Sequence, residues 1–352
     1  MTAPFRLYGA ALSPYSVKVR SYLRFKGLEF EWLERNVSRQ EEFARYAKLP
    51  LAPILVDADD NAVQDSTPML EALERDFPEP SIIPSDPALG FLAALLEDYA
   101  DEWLNKAMFH YRWTYPENQE SAAKRIVEMM FEGAPAPEGV EDAVRTRMVG
   151  RLHHVGSSLE NAGSIEGSFT RVLGLLDGLL SRRAYLLGGR PCLADFGLAG
   201  QLTQLLSDPT PGALLRAQAP NVMQWIGRMD SPERAGEFAS LAELRDELSA
   251  LLQQEIAPAY LAWMTANAQA VADDAPGVSI EIAGAAFAQK PQRYAAKAFA
   301  ELRRKRAALA DNEALAAILG ETGCDGFLQP PGGAAGSDAF DAESDAEDES
   351  ES

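Results

Sequence analysis

The first 77 residues alternate between short apolar runs, typical of buried strands, and longer amphipathic segments with the period of a helix. Gly27 ends the first of these helices, because glycine takes the left-handed cap conformation without strain. The predicted elements are strands at residues 5–8, 30–33, 54–56 and 62–64, helices at residues 15–25 and 66–77, and a further helix between the second and third strands. This order predicts a small α/β domain over residues 1–79.

After a proline-rich link the period changes to that of helices throughout. Leu89, Leu92, Leu96, Tyr99 and Trp103 recur three or four positions apart along one face. Further helices are predicted at residues 120–131, 140–160, 168–183, 193–207 and 220–230. We therefore expect an all-helical domain over residues 88–235.

The remaining hundred or so residues divide into two parts. Residues 236–329 are predicted to form a helical extension, which includes the basic segment 296–310. Residues 330–352 combine Pro, Gly and acids with almost no apolar side chains. Such a composition cannot repay the entropy lost on ordering, so these residues are predicted to be a disordered acidic tail.

The composition narrows the classes of function. The formal net charge is −21, and removing the eight acids of residues 337–352 still leaves −13. An acidic surface of this kind repels phosphate backbones and anionic lipid, so we expect neither nucleic acid nor a membrane as partner. The chain shows no signal peptide and no membrane-spanning run, which predicts a cytoplasmic protein. Two cysteines and three histidines provide no disulfide framework and no metal site.

Two neighbouring segments near the N-terminus point to a family. Ser13-Pro14-Tyr15-Ser16-Val17-Lys18-Val19-Arg20, followed by Lys26-Gly27-Leu28-Glu29-Phe30-Glu31, resembles the first helix and second strand of serine-type glutathione transferases. The resemblance implies that Ser13 donates a hydrogen bond to the glutathione sulfur. Independently of it, a hydroxyl beside the positive end of a helix suits a thiolate.

A second motif carries the rest of the resemblance. Leu51-Ala52-Pro53-Ile54-Leu55, followed by Gln64-Asp65-Ser66, is similar to the cis-proline turn and the acid–serine pair that hold glutathione in that family. The resemblance implies that Pro53 follows a cis bond and that the backbone of Ala52 pairs with the cysteinyl residue. It further implies that Ser66 binds the γ-glutamyl carboxylate, while Asp65 binds its ammonium group.

The helical region contains a third familiar segment. Gly188-Gly189-Arg190-Pro191-Cys192-Leu193-Ala194-Asp195-Phe196 resembles the buried capping box of the same family, with Cys192 where a serine or threonine is usual. The resemblance covers about residues 5–230. It implies a thioredoxin-like α/β domain at the N-terminus, followed by an all-α domain.

Some assignments have two interpretations. Tyr8 could replace Ser13 as the partner of the sulfur, or be a core aromatic of its strand. Ser16 is expected to be a solvent-facing residue of the first helical turn. Trp103, Phe109, His110 and Trp113 either belong to a packed helix with a charged outer face or line an apolar cleft for the electrophile.

The function predicted from the resemblance is that of a glutathione transferase. It would use glutathione as cosubstrate and no metal, activate the thiol for attack on an apolar electrophile in detoxification, and form a homodimer. The alternative is a non-catalytic binding or interaction protein that retains the fold, since fold does not imply function.

Overall fold

A four-stranded mixed sheet forms the N-terminal part of the computed structural model, which describes residues 4–329. The strand order is β2-β1-β3-β4, with β1 parallel to β2 and β3 antiparallel to both of its neighbours. Its elements are β1 (Phe5–Gly9), α1 (Pro14–Lys26), β2 (Phe30–Glu34), α2 (Gln40–Tyr46), β3 (Ile54–Val56), β4 (Ala62–Gln64) and α3 (Ser66–Asp76). This confirms the predicted thioredoxin-like fold.

Local sequence signals fix the ends of α1. Ser13 is its N-cap and Pro14 occupies the first turn, where the missing N–H leaves no bond unmade. Gly27 ends the helix in the left-handed region with φ 67°, and its N–H donates to the carbonyl of Arg24 at 3.1 Å. The loop before Ser13 therefore leads directly into a helix whose two ends are fixed by local sequence.

Ten helical segments follow the sheet and make up most of the core. They are α4 (Pro87–Tyr99), a π-helical segment (Ala100–Leu104), α5 (Asn105–Thr114), α6 (Pro116–Met130), α7 (Val140–Val149), a 3₁₀ segment (Leu152–Val155), α8 (Ala162–Leu180), α9 (Leu193–Ser207), α10 (Pro209–Gln218) and α11 (Pro220–Met229). The sequence pattern starts α8 six residues late and misses α10. Both helices begin with polar or small residues that weaken the apolar period.

The α9 helix is the centre of this body and joins it to the sheet domain. Almost all of its side chains are buried, and it packs against α1. A Cβ atom at Gly200 would lie 2.6 Å from the carbonyl oxygen of Pro14. Glycine is therefore required here to let the two helices approach.

The extension is not wholly helical, which corrects the prediction for residues 236–329. It comprises α12 (Leu241–Leu251), a π-helical segment (Leu252–Leu261), α13 (Ala262–Ala272), β5 (Val278–Ile282), β6 (Ala285–Gln289), α14 (Arg293–Ala307), α15 (Glu313–Glu321) and α16 (Asp325–Leu328). The β5–β6 hairpin buries Val278, Ile282 and Phe287. Alternating burial of this kind, over five residues, is easily missed between two helices. The predicted acidic tail lies outside the described residues.

The extension shares one core with the helical domain. Glu255, which has no exposed surface, accepts hydrogen bonds from Tyr99 at 3.2 Å, from Arg171 at 2.7 Å and from Ser168. Apolar side chains of α12, α13 and α14 belong to the same buried cluster as those of α4 and α8. Residues 236–329 are thus an integral layer of the fold. Within residues 4–329, no helix has the length and apolarity needed to cross a membrane.

A buried carboxylate holds the start of α9. Asp195 accepts from the backbone N–H of Cys192 at 2.9 Å, from that of Leu186 at 3.0 Å and from the indole of Trp225 at 2.8 Å. Burial raises the pKa of Asp195 to about 6 against the lowering effect of these donors. The acidic half of the capping box is therefore formed.

We predict that Asp195→Ala lowers the free energy of unfolding by about 3 to 5 kcal/mol, because it leaves three buried donors unpaired. Urea unfolding would measure the loss. Asp230→Ala is the matched control: Asp230 pairs with Arg24 at 2.6 Å, but its side chain is 73% exposed. A surface pair of this kind contributes less than about 1 kcal/mol. Equal losses in the two variants would contradict this account of the capping box.

Candidate functional site

Ser13 presents a hydroxyl at the positive end of α1. Its Oγ accepts from the N–H of Ser16 at 3.3 Å, and the side chain is partly exposed. A hydroxyl that accepts through a lone pair still has its own proton to donate. Ser13 can therefore donate to an anionic atom placed at the mouth of the helix.

Three side chains hold the loop that precedes Ser13. Gln204 of α9 donates to the carbonyl of Ala11 at 3.0 Å, and Arg112 of α5 donates to the carbonyl of Leu12 at 3.0 Å. Glu34 accepts from the N–H of Ala11 at 2.8 Å. Both domains thus fix the position of the serine, which is the condition for precise orientation of a reacting group.

The arginine is itself held firmly in the core. Arg112 is 4% exposed and its Nε donates to Asp208 at 2.8 Å, while Nη2 donates to the side chain of Gln204 at 2.9 Å. Burial lowers the pKa of Arg112 against the opposing effect of Asp208. The sequence pattern gave no signal for Arg112, because it stands in an aromatic run and its partners lie more than ninety positions away.

The Ala52–Pro53 peptide bond is cis, as the resemblance implies. Within residues 4–329, no hydrogen bond occupies the backbone of Ala52. Gln64 clamps the approach to this turn: its amide nitrogen donates to the carbonyls of Leu49 and Leu51 at 2.8 and 2.6 Å. The backbone N–H and carbonyl of Ala52 are therefore held beside the sheet with no hydrogen-bond partner among the described residues.

The start of α3 has free donors. Asp65 stands at the N-cap position with φ 87°, a strained conformation for a residue other than glycine, and does not cap the helix. No residue that the structure describes accepts from the N–H of Ser66 or Thr67. Free N–H groups at a helix start suit an anion such as a carboxylate.

Lys18 lies directly behind these donors and is 1% exposed. Its Nζ donates to Ser66 at 3.1 Å and to Thr67 at 3.0 Å. It also pairs with Asp101 at 2.6 Å and with Glu97. The two carboxylates raise the pKa of Lys18 against desolvation, so it remains charged. Sequence reasoning missed this residue, although a lysine on the buried face of α1 is the signal that could have revealed it.

Comparison with known proteins gives matches to two consecutive domain profiles of one family. Residues 7–81 match the N-terminal domain of glutathione S-transferases, and residues 142–228 match their C-terminal domain. The domains that contain residues 7–81 and 142–228 are therefore those of the glutathione transferase family. The extension that contains α12 to α16 lies beyond both matched regions.

The individual relatives of this chain are distant in sequence. The isoprene-epoxide–glutathione S-transferase of Rhodococcus sp. strain AD45 is 25% identical over 226 residues, covering 62% of this chain and 91% of that protein. A zeta-class enzyme of Euphorbia esula is 35% identical over 85 residues, covering 23% and 37%. A glutathione S-transferase structure from Methylobacterium radiotolerans, in complex with glutathione sulfonate, is 23% identical with a TM-score of 0.44, covering 68% and 97%.

For Trp103 the structure supports the packed helix and not the apolar cleft, the other of the two interpretations. Its side chain is 3% exposed, and its indole donates to Ser168 at 2.9 Å. The ring packs against Trp263 and Phe287, with centroids 5.8 and 5.5 Å away. Both partners belong to the extension, which fills the space beside this helix.

The other three members of that proposed cleft are packed as well. His110 has no exposed surface, and its ring nitrogens pair with Ser157 at 2.7 Å and Glu166 at 3.1 Å. Trp113 is 1% exposed and Phe109 packs against it. His110 and Trp113 therefore stabilise the helical core, whereas Phe109 keeps part of its surface exposed beside them.

Two alternatives in the sheet domain are also decided by packing. Tyr8 has no exposed surface and its hydroxyl donates to Glu42 at 2.6 Å, so it is a core aromatic. Ser16 was expected to face solvent, but it is fully buried and accepts from the N–H of Ala10 at 3.2 Å. Ser16 therefore supports the Ser13 loop from beneath.

Acidic residues gather where α4 passes into the π-helical segment, contrary to the expected charged outer face. Asp98 accepts from the hydroxyl of Tyr260, and Asp101 pairs with Lys18. Burial raises the pKa of each of these two carboxyls to about 7, and the neighbouring acids add to the shift. Burial, Asp98 and Asp101 also raise the pKa of Glu102 well above its ordinary value.

We predict that stability falls as pH rises from about 4 to 7. Because the folded-state pKa of Asp98 is about 7 and the ordinary value is 3.8, the folded protein holds a proton that the unfolded chain has lost in this window. Asp98→Asn should reduce the fall by on the order of 2 kcal/mol, measured by urea unfolding at each pH. Asp246→Asn, at an exposed site of α12, should keep the wild-type profile. A wild-type profile in Asp98→Asn would contradict the prediction.

Proposed function

We propose that this glutathione transferase binds glutathione in its N-terminal domain and activates the thiol through Ser13. The observation that supports this most directly is the Ser13 hydroxyl, which is partly exposed at the start of α1 and retains its proton for donation. Hydrogen bonding and the positive end of the helix both favour the thiolate over the thiol. The bound thiol should therefore ionise at a lower pH than free glutathione.

The remaining contacts would orient the tripeptide. The free backbone of Ala52, before the cis bond to Pro53, suits pairing with the backbone of the cysteinyl residue. The N–H groups at the start of α3 and the hydroxyl of Ser66 suit the γ-glutamyl carboxylate. Lys18 donates to the oxygen of the Ser66 hydroxyl, which leaves the hydroxyl proton free to be donated to that carboxylate. Asp65 would bind the ammonium group.

The thiolate would then attack an apolar electrophile. Its sulfur forms a bond to the electrophilic carbon. At the same time the bond from that carbon to the leaving group, or to the ring oxygen of an epoxide, breaks, and its electron pair passes to the leaving group or to that oxygen. The Rhodococcus relative is an isoprene-epoxide–glutathione S-transferase, which supports a substrate of this general kind. Orientation and thiolate stabilisation would supply the rate enhancement. Detoxification in the cytoplasm and a homodimeric state stay predictions.

Ser13→Ala tests the proposal. The ultraviolet absorbance of the glutathione thiolate, titrated with pH in the presence of excess protein, gives the pKa of the bound thiol. We expect a value below that of free glutathione in the wild type. In the variant it should rise by about 1 to 2 units, the equivalent of one hydrogen bond to a charged acceptor.

Ser231→Ala, in an exposed turn far along the chain, provides the control and should titrate as the wild type does. If glutathione binds but its thiol pKa stays at the free value in the wild type, the protein is a glutathione-binding protein without this activity. If glutathione does not bind, the family fold serves another role. Either result would refute catalysis through Ser13.

A further inference from the structure

The extension reaches the α/β domain beside the start of α3. Tyr294, the second residue of α14, donates its hydroxyl to Oδ2 of Asp65 at 2.6 Å. Further along the same helix, Lys305 pairs with Glu71 of α3 at 2.6 Å. The first contact joins the start of α14 to the start of α3, and the second joins later turns of the two helices. The helix α14 therefore reaches α3 through two long side chains, Tyr294 and Lys305.

The start of α14 is fixed from beneath, so the phenol is held in place. Asn267 of α13 is fully buried, and its amide donates to the carbonyl of Gln292 at 2.9 Å while accepting from the N–H of Gln292 at 2.7 Å. Phe299 and Leu302 anchor the following turns in the core. Tyr294 stands two residues after this clamp. Its hydroxyl is thus delivered to Asp65 by a rigid element rather than by a loop.

The pair suits a cation that donates hydrogen bonds. Oδ2 of Asp65 accepts from Tyr294, whereas no described residue donates to Oδ1. The phenol oxygen, having donated its proton, still has lone pairs that can accept. A carboxylate with an adjacent phenol oxygen therefore offers two acceptors to an ammonium group.

The charge around the phenol supports the same ligand. Burial raises the pKa of Tyr294 above its ordinary value, and the nearby carboxylates of Asp65, Glu102 and Asp101 add to the shift. The phenol consequently stays protonated and keeps its bond to Asp65. Asp65 places its carboxylate directly beside the phenol, and Tyr294 remains 48% exposed, so a positive group can approach the pair.

We propose that Tyr294 and Asp65 together form the subsite for the free amino group of the γ-glutamyl residue. The extension would thereby make the site selective for glutathione over peptides whose amino group is blocked. This inference rests on the proposed function, because it assigns one more residue to the same glutathione site. Tyr294 lies outside both matched regions, residues 7–81 and 142–228.

The test measures two ligands by calorimetry with the full chain. S-methylglutathione retains the free amino group, and its derivative acetylated on that nitrogen does not. Tyr294→Phe removes one oxygen and should lower the affinity for S-methylglutathione by about 3- to 10-fold, as expected for one hydrogen bond. The affinity for the acetylated ligand should not change. Lys305→Met, which removes the other contact between α14 and α3, should leave both affinities unchanged.

The outcomes separate this inference from the proposed function. If the wild type does not bind S-methylglutathione, the proposed function fails and the inference with it. If the wild type binds and Tyr294→Phe binds equally well or more tightly, the inference alone is overturned, because the phenol would then be neutral or would compete with the amino group. Equal weakening for both ligands would also overturn it, since that indicates a general disturbance of the site.

Discussion

The buried charge of Lys18 is the constraint around which the two domains are arranged. It stands on α1, contacts Ser66 and Thr67 at the start of α3, and pairs with Glu97 and Asp101 of the helical domain. An ammonium group without partners in such a place would be strongly unfavourable, so the helices that supply its partners must dock in one register. That docking sets the position of the α3 start relative to the mouth of α1.

The extension is an integral part of this arrangement. Its π-helical segment (Leu252–Leu261) buries Glu255 against the helical domain, and its β5–β6 hairpin and Trp263 fill the space beside Trp103. Further along, α14 crosses to the sheet domain and reaches Asp65. Three basic side chains of that helix pair with acids of the same chain: Arg304 with Glu301, Lys305 with Glu71 and Arg306 with Asp325. One added segment therefore closes an apolar surface and also modifies a polar site.

Local signals explain why so much of the α/β domain could be predicted. Ser13, Pro14 and Gly27 define a helix by their own backbone preferences, and the alternation in β3 and β4 defines a hairpin over a few residues. The cis bond before Pro53 followed from the motif around it and is confirmed. The choice between a packed helix and an apolar cleft at Trp103 could not be made in this way. Whether Trp103 is exposed depends on Phe287, which no local pattern connects to it.

The sequence by itself therefore determined the order of the elements in the α/β domain, the resemblance to the family and the residues at the ends of α1, because these depend on neighbours within a few positions. Tertiary structure alone decided which polar groups are buried and which of them meet. Asp65 and Tyr294 are 229 positions apart, and their contact depends on the docking of a whole layer. Burial then sets the chemistry, since desolvation and nearby charges shift the pKa values of Asp98 and Asp101 to about 7.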